Sequence, residues 1–447
     1  MIILVVLVIL AAIGLTFGNL QLLKSNQGGE DFQTHLQAAR VFLDQGTSPY
    51  PQLESEESLS TTQESSTQTE GVTRTPTPEF AGAADDAQAT DPQVTQPVVP
   101  GTTTEESNSQ VQVGTQPSAE NSTFRSPLYV LLVYVPLALI KDPDLAHAIW
   151  MTTLELLLIY VGFASVRWIR WKRPLLISFL LMLYTLFTYT SFSSILNGSM
   201  SIFSLACMVL VITAMKRGQD EIAGIALALS LFSPETAYVT VLFLLVWSVI
   251  NNRRSVLFWF LGVLLLLVGF SMLLIPDWVP QYVRMMFPIG GNNPGNAGIL
   301  ATSGFGGINL RLTIAKNAIL LIVLVVEWFV VRTRNPLRLV WVTLLSMALS
   351  IWIGVNVNPD ASLFILPAVL FALSLFYARW KESSYPTMSL VLMLLFGLGW
   401  IFSSFVFGST DAMPVVIMNG IVLPGLGVLL LYWSRWWILY STSQNLE

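Results

Sequence analysis

Glu30 and Asp31 open the run Gly29-Glu30-Asp31-Phe32-Gln33-Thr34-His35, in a chain that keeps nearly all its charge away from long apolar stretches. A carboxylate there can take a proton from a hydroxyl, and His35, one helical turn on, can share its site. Three arginines, Arg125, Arg284 and Arg311, carry complementary chemistry, because a planar guanidinium holds two oxygens of a phosphate at once. Asn197 of Asn197-Gly198-Ser199, Glu235 after Ser233-Pro234, and Asn356, Asn358 and Asp360 add further polar groups. A base plus phosphate-binding cations fits transfer of a group from a lipid phosphate to a hydroxyl. Asp31 is the expected base, and the other residues are expected to bind donor phosphate or substrate.

Other chemistries find less support. With two histidines, His35 and His147, and one cysteine, Cys207, neither a metal cluster nor a disulfide framework is expected. Asp142-Pro143-Asp144 has the spacing of a metal-binding pair, but Pro143 ahead of an apolar run suits a turn and helix cap better. No cofactor is therefore expected. The glycine-rich stretch Gly290 to Gly307 is too irregular for a phosphate loop and reads as a flexible loop able to close over a site. The net charge of -5 reflects one acidic polar loop, and nothing points to nucleic acid.

The elements that must position these residues are membrane helices. Of 447 residues, 53% are hydrophobic and only 11% charged, and apolar runs recur from Met1 to Trp433. That is an all-α polytopic membrane protein in contact with the bilayer. Residues 1–23 read as a retained first helix, without the basic start of a signal peptide. Residues 24–51 carry an amphipathic helix from Asp31 to Leu43, with Phe32, Leu36, Ala39 and Leu43 on one face and Gly46 as its stop. Residues 52–122 are rich in Ser, Thr, Gln, Glu and Pro and are expected to be a disordered insertion acting as a spacer. Residues 123–145 hold a short apolar segment, Pro127 to Ile140, and residues 146–440 a transmembrane bundle.

Charge chooses the topology. Pro127 to Ile140 would make a helix of about 21 Å, short of the ~30 Å hydrocarbon core. If it only dips into the membrane, the cluster Arg167, Arg170, Lys172 and Arg173 falls inside, as the positive-inside rule requires. The remaining spans then fall near 146–166, 174–191, 200–215, 222–232, 236–250, 256–275, 314–331, 337–355, 361–378, 387–407 and 415–433, about 12 with the first helix. Inside loops carry 14 of the 22 basic residues, both termini are cytoplasmic, and the polar residues above gather on the outer face. The span 222–232 is too short, so the Ser233-Pro234-Glu235 turn should sit below the outer surface and line a watery cavity.

These motifs, in this order, resemble glycosyltransferase family 87, a class C (GT-C) family of polyprenyl-phosphate-sugar-dependent membrane enzymes. The resemblance rests on Asp31-x3-His35-x2-Ala38-Ala39-x3-Leu43-x2-Gly46-x3-Tyr50, Phe124-Arg125-Ser126-Pro127-Leu128, Asn197-Gly198-Ser199 and Ala223 to Leu229 leading to Ser233-Pro234. Asn358-Pro359-Asp360 ahead of Leu366-Pro367 completes it. It implies a GT-C-like bundle with a large first outer loop, in which Asp31 is the general base of an inverting transfer. The implied donor is a polyprenyl-phosphate sugar (mannose or another hexose), the acceptor a glycan or glycolipid, and the site the outer face of the plasma membrane. The chain departs from the family's usual Asn-Gly-Gln and Lys-Pro, having Asn197-Gly198-Ser199 and Ser233-Pro234.

Two other readings use the same residues. A carrier or lipid flippase would route a charge past Glu235, Glu155 and Glu327; transporters often pair two broken helices, whereas one broken pair, at 222–250, is evident here. A non-catalytic relative would display the insertion alone.

Overall fold

The computed structural model describes residues 2–25, 29–50, 124, 126–169, 175–286, 310–330, 336–353, 359–380 and 421–440. The expected disordered insertion at 52–122, the loop Gly290 to Gly307, Asn356, Asn358 and the expected span 387–407 lie outside them. Every regular element described is helical. In chain order these are α1 (Ile2–Ser25), α2 (Glu30–Gln45), α3 (Leu131–Ala138, entered through a 3-10 turn at Leu128–Val130), α4 (Pro143–Arg167), α5 (Leu175–Phe187) and α6 (Tyr189–Asn197). There follow α7 (Ser201–Arg217), α8 (Asp220–Leu229, ending in the 3-10 turn Ser230–Phe232), α9 (Pro234–Ile250), α10 (Arg254–Leu274) and α11 (Trp278–Met286). The last are α12 (Leu310–Val330), α13 (Pro336–Ile353), the 3-10 stretch Pro359–Ile365, α14 (Leu366–Trp380) and α15 (Leu423–Tyr440).

Four described helical stretches are long and apolar enough to cross a membrane: Pro143–Arg167, Arg254–Leu274, Pro336–Ile353 and Asp360–Ala378. The α5–α6 pair would be a fifth, bent by 50° at Thr188. The sequence places one span near 174–191, without a break. Thr188 instead takes an extended conformation there, its Oγ1 donates to Ser191 Oγ at 2.7 Å, and a second helix starts at Tyr189. The short segment Leu128–Ala138 and the short hairpin α8–α9 take the lengths their sequences imply.

Close packing explains the small residues of α8. A Cβ at Gly224 would come within 2.5 Å of the Val256 carbonyl oxygen, so α8 and α10 meet backbone to backbone. One apolar core runs from Phe32 and Leu36 of α2 to Leu431 and Ile438 of α15. Glu327 and Glu155, carboxylates on otherwise apolar helices, have partners on neighbouring helices. Arg435 Nε lies 3.3 Å from Glu327 Oε1, with the Tyr432 hydroxyl donating to the same carboxylate at 3.4 Å, and Asn19 hydrogen-bonds Glu155 between α1 and α4.

Candidate active site

Asp31 stands in the first turn of α2. The cap residue Gly29 takes a left-handed conformation (φ 104°) and gives the helix no side-chain cap, so neither acid of Glu30-Asp31 is consumed in capping. The helix ends as the sequence suggests, at Gly46 (φ 64°), whose N–H donates to Phe42 O at 2.9 Å. Phe32, Leu36 and Ala39 are buried, but the stripe stops a turn early and Leu43 is exposed.

The Asp31 carboxyl keeps contact with solvent while protein surrounds it. Its pKa rises from 3.8 to about 6, first through desolvation, then through the negative charges of Asp360, Glu30 and Glu235. The helix dipole would act the other way, and desolvation together with the neighbouring carboxylates outweighs it. The structure thus brings three of the sequence-predicted residues, Asp31, Glu235 and Asp360, into one electrostatic neighbourhood.

Each partner is built by a different element. Glu235 follows Pro234 in the first turn of α9, with Tyr282 of α11 in its field. Asp360 is buried at the start of the 3-10 stretch, where Ser194 Oγ donates to its Oδ1 at 2.5 Å and Ser199 supplies a second hydrogen bond. Ser199 belongs to the Asn197-Gly198-Ser199 turn. Gly198 is left-handed (φ 69°), and its carbonyl accepts from Trp150 Nε1 at 2.9 Å. Asn197 therefore sits at the end of α6, in the turn that delivers Ser199 to Asp360.

His35 has a structural place. Its Nδ1 lies 2.7 Å from the Asp31 carbonyl oxygen and its Nε2 2.9 Å from Ser126 Oγ. The carbonyl can only accept, so Nδ1 carries the proton and Ser126 donates to Nε2. Burial lowers the His35 pKa, which keeps the ring neutral, and the ring stacks on Tyr134 (centroids 4.9 Å apart, 22°). His35 thus ties α2 to the segment leading into α3.

The predicted cations are placed less fully. Arg284 is exposed on α11, and among the described residues no contact joins it to Asp31. Arg125 and the side chain of Arg311, in the first turn of α12, lie outside the described residues. Asp142 caps α4, its Oδ1 accepting from Asp144 N at 3.0 Å and Leu145 N at 3.4 Å, as its helix-cap reading requires. Among the described residues no group of three or more His, Cys, Asp or Glu could hold a metal ion.

Sequence reasoning missed Tyr134 and His147, which pack on the first turns of α2, and Ser194, which holds Asp360. Their signal lay only in polar and aromatic positions on otherwise apolar helices, and such positions are usually packing residues.

Searches of curated proteins and of solved structures return no match. The model of glycosyltransferase family 87 matches residues 124–354. That stretch runs from the residues that carry α3 through α13, and it includes Glu235 and the turn that holds Asp360; Asp31 joins it through the packing of Phe32 and His35 on Tyr134. With more than half of its length matched, and with its helical, apolar build, the chain belongs to glycosyltransferase family 87.

Proposed function

We propose that this glycosyltransferase is an inverting enzyme that uses a polyprenyl-phosphate sugar at the outer face of the plasma membrane. Asp31 takes the proton of an acceptor hydroxyl on a glycan or glycolipid. The acceptor oxygen attacks the anomeric carbon from the side opposite the phosphate. The bond from C1 to the phosphate oxygen breaks, and its electron pair leaves on the polyprenyl phosphate. Arg125, Arg284 or Arg311 neutralises that departing charge, and the lipid carrier is itself the activated donor. The sugar transferred is a hexose, mannose or another.

The observation that carries this reading is the state of Asp31. A general base works best with a pKa near the working pH, and Asp31, at about 6, is ionised at neutral pH yet basic enough to accept a proton. The carrier reading draws less support, since Glu327 is ion-paired with Arg435 and Glu155 is hydrogen-bonded by Asn19. The test is transfer of radiolabelled hexoses from a panel of polyprenyl-phosphate sugars by the full chain in proteoliposomes. Transfer by the wild type and its loss in Asp31→Asn support the reading; absence of transfer from every donor overturns it.

A further inference from the structure

We infer that His147 is a positioning residue whose imidazole holds the two halves of the site, the Asp31 helix and the turn behind Asp360, in one register. His147 lies in the second turn of α4 and is buried, 4% exposed. On one side its ring stacks flat on Phe32, the residue after Asp31, with centroids 4.5 Å apart and planes 8° from parallel. The backbone entering α2 presses on the same ring: a Cβ at Gly29 would overlap His147 Cε1 and stand 2.9 Å from Nδ1. Gly29 is thus required both by its left-handed φ and by the imidazole against it.

On the other side the ring lies against the Leu196 backbone, and a Cβ at Gly198 would stand 3.4 Å from Nε2 and 2.6 Å from Phe32 Cβ. Trp150, three residues on from His147, donates to the Gly198 carbonyl. The chain then passes to Ser199, which with Ser194 holds Asp360. One side chain of α4 therefore touches the first turn of α2 and the Leu196–Ser199 turn together. Nε2 has no hydrogen-bond partner among the described residues, which is costly for a buried ring nitrogen. A phenyl ring would supply the stack but not the hydrogen bond that links the imidazole to the Leu196 backbone.

The test uses the full chain in nanodiscs, and its first readout needs no substrate. Amide hydrogen exchange is compared for wild type, His147→Ala and His147→Phe. In His147→Ala, exchange is expected to rise about tenfold in Gly29–Leu36 and in Leu196–Ser199 together, while α7 is unchanged. In His147→Phe the first segment stays protected and the second loosens. A rise in only one segment of His147→Ala, or a uniform rise across the protein, overturns the inference. If His147→Ala does not fold, the split between the two segments in His147→Phe decides, and equal protection of both overturns it.

The second readout rests on the proposed function and uses whichever polyprenyl-phosphate hexose the wild type accepts. Displacement of a catalytic group by about 1 Å costs about 100-fold in rate, so kcat is expected to fall 10- to 100-fold, by order of magnitude, with little change in the donor KM. The acid limb of the rate should also move to lower pH as Asp31 withdraws from Asp360 and Glu235, the negative charges that other elements bring to it. A loss of folded protein would scale the rate and leave the limb in place, and that outcome overturns the positioning role. If the wild type transfers no sugar from any donor, the failure is that of the proposed function, and the exchange data alone decide the role of His147.

Discussion

Changing pH and removing the Glu235 charge should move the same titration. With a pKa of about 6, Asp31 is about 10% ionised at pH 5, about 50% at pH 6 and about 90% at pH 7. The transfer rate should therefore rise about tenfold between pH 5 and pH 7. An unperturbed carboxylate would leave it nearly flat there. Glu235 is one of three negative neighbours and ranks below desolvation as a cause, so Glu235→Gln should shift the limb down by a fraction of the whole displacement. The assay is kcat/KM in proteoliposomes from pH 4.5 to pH 8, with buffers of constant ionic strength. A wild-type limb near 4, or an unmoved or raised limb in Glu235→Gln, would refute the reasoning. The same shift has a stability consequence. The folded state holds this proton more tightly than the unfolded state, so the contribution of Asp31 is most favourable below about pH 4 and is lost as pH rises through about 6.

Two further outcomes probe the frame around the site. Gly198→Ala places a Cβ in a left-handed residue, at about 1–2 kcal/mol, and drives it to within 2.6 Å of Phe32 Cβ. A total loss of about 2–4 kcal/mol follows, read as a lower melting temperature by scanning fluorimetry; an unchanged melt contradicts the turn geometry. Arg435→Met leaves Glu327 buried without its cation, at a cost of about 3 kcal/mol. The double variant Glu327→Gln/Arg435→Met should recover most of that stability in the same assay, and equal loss in both would contradict the pairing.

Much of this arrangement was legible in residue order because it depends on local chemistry. The apolar period of Phe32, Leu36 and Ala39, the Gly46 stop and the Asp142 cap each involve neighbours within a few residues. The short α8–α9 hairpin was legible from length alone. The bend at Thr188 was not, because it falls within a stretch apolar enough to read as one helix, at a residue that no glycine or proline marks. Nor was the role of His147. A lone histidine near a helix start carries no periodic signal, and its importance comes from two glycines, Gly29 and Gly198, that are distant from it in the chain and adjacent in space. The same holds for Ser194, whose bond to Asp360 spans 166 residues.

The central claim is that Asp31 is the base. Asp31→Asn keeps the size of the side chain and removes the charge that partial desolvation and the neighbouring carboxylates oppose. At pH 7 the variant should melt at or above the wild-type temperature while losing at least about 100-fold in sugar transfer from the accepted polyprenyl-phosphate donor. Transfer at the wild-type rate by a fully folded Asp31→Asn would contradict the account.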